Sequence, residues 1–101
     1  MADTQNGTIC LVVDVPGETQ EHFEAVMESL ALTGPVPPDG ARLVASGPRE
    51  GGWQTVSIWD SKEAMERFFE ERLGPAYRDA GVSIESSRRE MFPVYRMLEV
   101  R

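Results

Sequence analysis

The chain has 101 residues, 27% of them charged and 41% hydrophobic, the composition of one globular domain. Its net charge of −7 argues against unaided binding to nucleic acid or to an anionic membrane, both of which need a basic footprint. The single cysteine, Cys10, excludes an internal disulfide, and the longest apolar run, Ile9 to Val13, is too short to span a bilayer.

The opening MADTQNG lacks the basic start and apolar run of a secretion signal, so the expected location is cytoplasmic, with residues 1–6 disordered. Residues 8–15, TICLVVDV, are β-branched and apolar and stop at Pro16-Gly17: a first strand. Residues 18–31 predict a helix, because Phe23, Val26, Met27 and Leu30 recur at three- and four-residue steps. Glu18 and Glu21 suit its positive N-terminus. Residues 33–40, TGPVPPDG, hold three prolines and two glycines and read as a connection. Strands over 41–47 and 53–60 form a hairpin. Ser61 is a good N-cap for a second helix carrying Ala64, Met65, Phe68 and Phe69, which Gly74-Pro75 interrupts. Residues 76–80 predict a further turn of helix. Residues 90–98, EMFPVYRML, predict a last strand, with Pro93 marking an edge or a bulge.

The order β-α-β-β-α-β is the ferredoxin-like pattern, an α+β fold with a four-stranded antiparallel sheet and two helices on one face. Alternation divides each strand into two sets. The aliphatic sets (Ile9, Leu11 and Val13; Val56 and Ile58) are expected to pack against the helices. The mixed sets are expected to line a cavity: Cys10, Val12 and Asp14 in the first strand, Trp53, Thr55, Ser57 and Trp59 in the third, and Tyr95 in the last. Aromatic side chains with a few hydroxyls suit a pocket that is mostly apolar.

In element order and in VSIWDSKEAMERFF, where Trp59, Asp60, Ala64 and Met65 stand at the characteristic positions, the chain resembles the dimeric α+β barrel superfamily and, within it, the antibiotic-biosynthesis-monooxygenase-like proteins. The resemblance implies a homodimer in which two sheets face each other, each subunit keeping its own pocket. It implies cofactor-free oxygenation, cyclisation or lysis, haem degradation, or no catalysis. Many members of that family carry a histidine four residues after the helix alanine. Phe68 stands there, which argues against a mechanism that needs that imidazole as base or haem ligand.

Of the candidate proton-transfer groups, His22 is the only histidine, and Asp14 ends the first strand. Trp59 and Trp53 offer stacking surfaces for a flat ligand, Thr55 and Ser57 offer hydrogen bonds to a carbonyl, Tyr77 and Tyr95 to a phenol, and Arg96 to a carboxylate or enolate. Each has a plain structural alternative: an exposed helix residue for His22, a turn for Asp14, barrel or dimer core for the aromatics, a solvated edge for Arg96. Cys10, inside a strand with no basic neighbour, reads as an inert apolar residue. No metal-ligand spacing, phosphate loop or dinucleotide fingerprint is present. The sequence therefore supports a cofactor-independent oxygenase or cyclase, with an aromatic or polyketide-like small molecule as ligand. The alternative is a barrel that only binds a small molecule or only dimerises.

Overall fold

The computed structural model describes residues 7–32, 34 and 36–98; the expectation for residues 1–6 lies outside these. The elements are β1 (Ile9–Pro16), α1 (Gln20–Ser29), β2 (Ala41–Arg49), β3 (Gly52–Trp59), α2 (Lys62–Phe68), a π-helical turn (Phe69–Leu73), α3 (Gly74–Asp79) and β4 (Arg88–Pro93). The strands form one sheet in the order β2-β3-β1-β4, with every neighbouring pair antiparallel. This is the expected ferredoxin-like arrangement.

Local chemistry sets the helix ends. The Thr19 hydroxyl accepts from the His22 amide at 3.2 Å and caps α1, so Glu18 stands just before the helix. Ser61 caps α2 through the Ala64 amide at 3.1 Å, as its sequence position predicts. At the far end of α1, the Leu32 amide reaches back to the Met27 carbonyl at 2.9 Å and the Ala31 amide to that of Glu28 at 3.0 Å. This termination puts Ala31 at φ 60°, where glycine is the usual occupant.

Two expectations are corrected. Gly74-Pro75 does not interrupt the second helix. Pro75 has no amide to donate, and the chain passes it through the π-helical turn, in which the Gly74 amide bonds the Phe69 carbonyl five residues back. The last strand is Arg88–Pro93, not residues 90–98. Pro93 pairs with Ile9, the first residue of β1, so the neighbouring strand ends there too.

The register also re-sorts the faces. Leu11 stands opposite Ser57, Val13 opposite Thr55 and Val15 opposite Trp53. The aliphatic set of β1 therefore shares the helix-covered face with the mixed set of β3. The other face carries Cys10, Val12, Val56 and Ile58, joined by Phe92 opposite Cys10 and Leu43 opposite Ile58. Val56 and Ile58 thus point away from the helices, contrary to expectation. Two small cores hold the layers together. Leu11, Trp59 and Met65 join the sheet to α2, and Val26, Leu30, Ala76 and Tyr77 join α1 to α3. Phe68 packs on both.

Candidate functional site

Between these two cores, on the helix-covered face, lies a cavity of about 560 Å³. Its floor is the sheet: Leu11 and Val13 of β1, Thr55, Ser57 and Trp59 of β3. Phe23 and Met27 of α1, Phe68 of α2 and Tyr77 of α3 wall it from the helix side. The connection at residues 36–38 and the edge strand β2 add to the lining. Val36 is 73% exposed and Val44 40% exposed, so the cavity opens along that edge. The walls are mostly apolar and aromatic, with a few convergent polar groups, as in sites for small organic ligands.

Two of those polar groups are built into hydrogen bonds. The Trp59 indole N–H donates to the Ser57 hydroxyl at 2.8 Å, and both residues are buried. Adjacent odd positions on one strand bring them together on the same face. The bond fixes the indole plane against Phe68, 5.3 Å away between ring centres, and leaves the serine its own hydrogen to donate. Across the cavity, the Tyr77 phenol donates to the Glu18 carboxylate, 3.1 Å from each oxygen. Glu18 is only 3% exposed. Burial pushes its carboxyl up; the Tyr77 hydrogen bond and the charge of His22 pull the other way by less. Burial first, then the Glu18 charge and hydrogen bond, push the Tyr77 phenol up as well, so it stays protonated.

Of the predicted site residues, the structure brings Thr55, Ser57, Trp59 and Tyr77 to one cavity. His22 lies behind the wall. Its imidazole is close enough to Glu18 to act on it electrostatically, and its Nδ1 is buried with no hydrogen-bond partner among the described residues. Asp14 is not brought to the cavity. It sits at the far end of the sheet, where the Arg49 Nη1 donates to both of its oxygens at 2.9 and 2.8 Å, in a smaller cleft of about 250 Å³ with Arg88. Tyr95 and Arg96 follow the end of β4 and are exposed, Tyr95 to 79%; neither lines the cavity. Trp53 stacks on Phe23 at 5.1 Å beside the cavity, and its Nε1 is buried without a partner among the described residues. Cys10 is buried on the opposite sheet face, and burial pushes its thiol up. Among the described residues no cluster of three or more His, Cys, Asp or Glu side chains could hold a metal ion, and no helix is long and apolar enough to cross a membrane.

Sequence reasoning missed Glu18. It reads there as a charge favouring the helix N-terminus, since its partner lies 59 residues away. It also missed Arg89, which lines the cavity with its guanidinium 5.4 Å from the centre of the Phe69 ring.

The sequence matches no protein-family model and no curated protein. Solved structures do resemble the fold. SnoaB, a cofactor-independent oxygenase from Streptomyces nogalater, superimposes with a TM-score of 0.62 at 16% identity, covering 91% of this chain and 97% of that one. A dimeric ferredoxin-like protein of unknown function from Jannaschia sp. CCS1 gives 0.57 at 17% identity, covering 87% and 100%. A candidate antibiotic biosynthesis monooxygenase from Deinococcus radiodurans gives 0.58 at 13%, covering 93% and 98%. These likenesses show the ferredoxin-like fold, the one expected from the sequence.

Proposed function

We propose that the protein is a homodimeric, cofactor-independent enzyme that oxygenates a flat aromatic or polyketide-like small molecule in the cavity beneath its helices. The observation that carries this reading is the cavity itself. It is large enough for a fused-ring ligand, floored by Trp59, and supplied with hydroxyls at Ser57, Thr55 and Tyr77. The neighbouring fold of a cofactor-independent oxygenase supports the reaction class. The outer apolar sheet face, where Phe92 is 53% exposed and Val12, Val56 and Ile58 are half-buried, and dimeric proteins of the same fold, support a partner sheet as its cover.

In this reading the ligand's rings lie on Trp59 and Phe68, and a carbonyl or phenol oxygen accepts from Ser57 or Thr55. An acidic methylene of the ligand loses a proton, and Tyr77 is the cavity residue with a carboxylate behind it. The resulting carbanion adds to dioxygen, the peroxide anion takes back the proton removed from the methylene, and the hydroperoxide loses water. One oxygen atom ends in the product carbonyl and the other in water. The electrons come from the carbon that is oxidised. The hydrogen bonds to the ligand oxygen stabilise charge that grows as the proton leaves.

Oxygen uptake with 1,8-dihydroxyanthrone tests this. Enzyme-dependent uptake, with one anthraquinone formed per dioxygen consumed, supports an oxygenase. A ring-closed product of unchanged oxidation level from a polyketide-like substrate supports a cyclase. Binding of an anthraquinone without turnover of either substrate supports a carrier.

A further inference from the structure

Behind the cavity wall the molecule has buried a carboxylate that its packing does not require. Glu18 is 3% exposed and precedes the N-cap of α1, a position with ready access to solvent in most helices. Burying a carboxylate is costly unless it is paired or hydrogen-bonded, and no basic side chain forms a salt bridge with Glu18 among the described residues. Its side-chain partner is the hydroxyl of Tyr77, whose ring lines the cavity. The titratable groups that face it are Tyr77 and His22.

We infer that Glu18 is the store for the proton taken from the ligand, and that Tyr77 is the conduit. The inference rests on the oxygenase reading and names the base it requires. The Tyr77 oxygen takes the ligand's proton while the Tyr77 hydrogen moves along the existing bond to a Glu18 oxygen. The ligand is left as its anion, the tyrosine is unchanged, and the carboxylate becomes a neutral acid. No second charge is then left buried beside the ligand. A tyrosinate would have to form next to a carboxylate without this coupled transfer, and both burial and the Glu18 charge oppose that. Tyr77 is the catalytic residue, and Glu18 and His22 are positioning residues that act through it. His22 sets how readily Glu18 holds the proton, without touching the ligand.

The test uses Glu18→Gln, which keeps the shape and an oxygen to accept from Tyr77 but cannot take a proton, together with Tyr77→Phe. Two readouts separate the inference from the reading beneath it. The first is turnover of 1,8-dihydroxyanthrone: both variants should lose kcat by at least about 100-fold with KM little changed, the size of a general-base contribution. The second needs no turnover. Alizarin, an acidic dihydroxyanthraquinone whose colour reports its ionisation, should bind to the wild-type protein as its anion below its own solution pKa, and to Glu18→Gln as the neutral phenol. Active wild type with Glu18→Gln within about twofold of it overturns the relay and leaves the oxygenase standing. Inactive wild type that still ionises alizarin only when Glu18 is present removes the oxygenase and keeps the relay. Alizarin bound in the same form by both proteins overturns the relay whatever the turnover. Far-ultraviolet circular dichroism confirms that each variant is folded.

Discussion

Replacing Tyr77 by Phe removes one hydroxyl and leaves the ring, so it opens no cavity in the core of Val26, Leu30 and Ala76. What is lost is a hydrogen bond to both oxygens of a buried carboxylate, 3.1 Å from each. A hydrogen bond to a charged group contributes about 1.5–3 kcal/mol, so near neutral pH the variant should lose about 2 kcal/mol. For a domain of this size that lowers the melting temperature by roughly 8–16 °C. The loss also depends on pH, with a definite sign. Burial already raises the folded-state pKa of Glu18 above its ordinary 4.5, so the native state holds more protons than the unfolded state in the window above 4.5. Wild-type stability therefore falls as pH rises through that window. Without the phenol, one of the influences that lower the Glu18 pKa is gone. The folded pKa climbs further and the window widens upward. The cost of the substitution should be largest at about pH 8 and should shrink to about 1 kcal/mol at about pH 4, where the carboxyl is protonated and only a neutral hydrogen bond is missing. Urea unfolding followed by tryptophan fluorescence, at one fixed protein concentration because a dimer unfolds with concentration dependence, measures both values. A loss below about 0.5 kcal/mol at pH 8, or the same loss at both pH values, would refute the coupling between Tyr77 and a charged Glu18.

Three further outcomes follow from the same geometry. Trp59→Phe removes the donor to Ser57 and shrinks a side chain that is 2% exposed, and should cost about 2–3 kcal/mol by urea midpoint while weakening alizarin binding. Ala31→Gly should stabilise the chain by up to about 1 kcal/mol in thermal unfolding, because φ 60° strains alanine and suits glycine. Ile58→Lys places a charge in the middle of the outer apolar sheet face, away from the cavity, and should shift sedimentation from dimer to monomer; a dimer of unchanged affinity would place the interface elsewhere.

The fold was legible because each element carries its own local signal. The apolar run before Pro16-Gly17, the stripe of Phe23, Val26, Met27 and Leu30, and the Ser61 cap each act over a few residues, and each appears where its chemistry puts it. The identity of the faces was less legible. Val12, Val56 and Ile58 make the outer face nearly as apolar as the inner one, so alternation gives two sets per strand but not which sets meet. Pairing Leu11 with Ser57 is a fact of register between strands 46 residues apart. It moved Asp14 to the outer end of the sheet while leaving Thr55, Ser57 and Trp59 beside the cavity. Tyr95 and Arg96 lie outside the cavity for another reason. Their spacing continues the alternation of β4, but the ladder between β1 and β4 ends at the pair of Ile9 and Pro93, so the strand stops short of them. Glu18 was hidden most completely, since nothing near it in the chain foretells burial against a tyrosine on α3.

The π-helical turn at Phe69–Leu73 has a consequence for how the site could arise and be lost. Such a turn holds one residue more than the regular helix it interrupts. Each residue of an α-helix advances the next by about 100°, so the wide turn absorbs a residue that a regular helix would convert into a rotation of everything after it. With it, Tyr77 faces the cavity and its hydroxyl meets Glu18. Wound as a regular helix, the same residues would carry the tyrosine about a quarter-turn away, whereas deleting one of them, such as Glu71, would let the helix become regular with the tyrosine still facing the cavity. One more residue in this helix is thus compatible with the coupling of the cavity to its buried carboxylate only because the widened turn absorbs it.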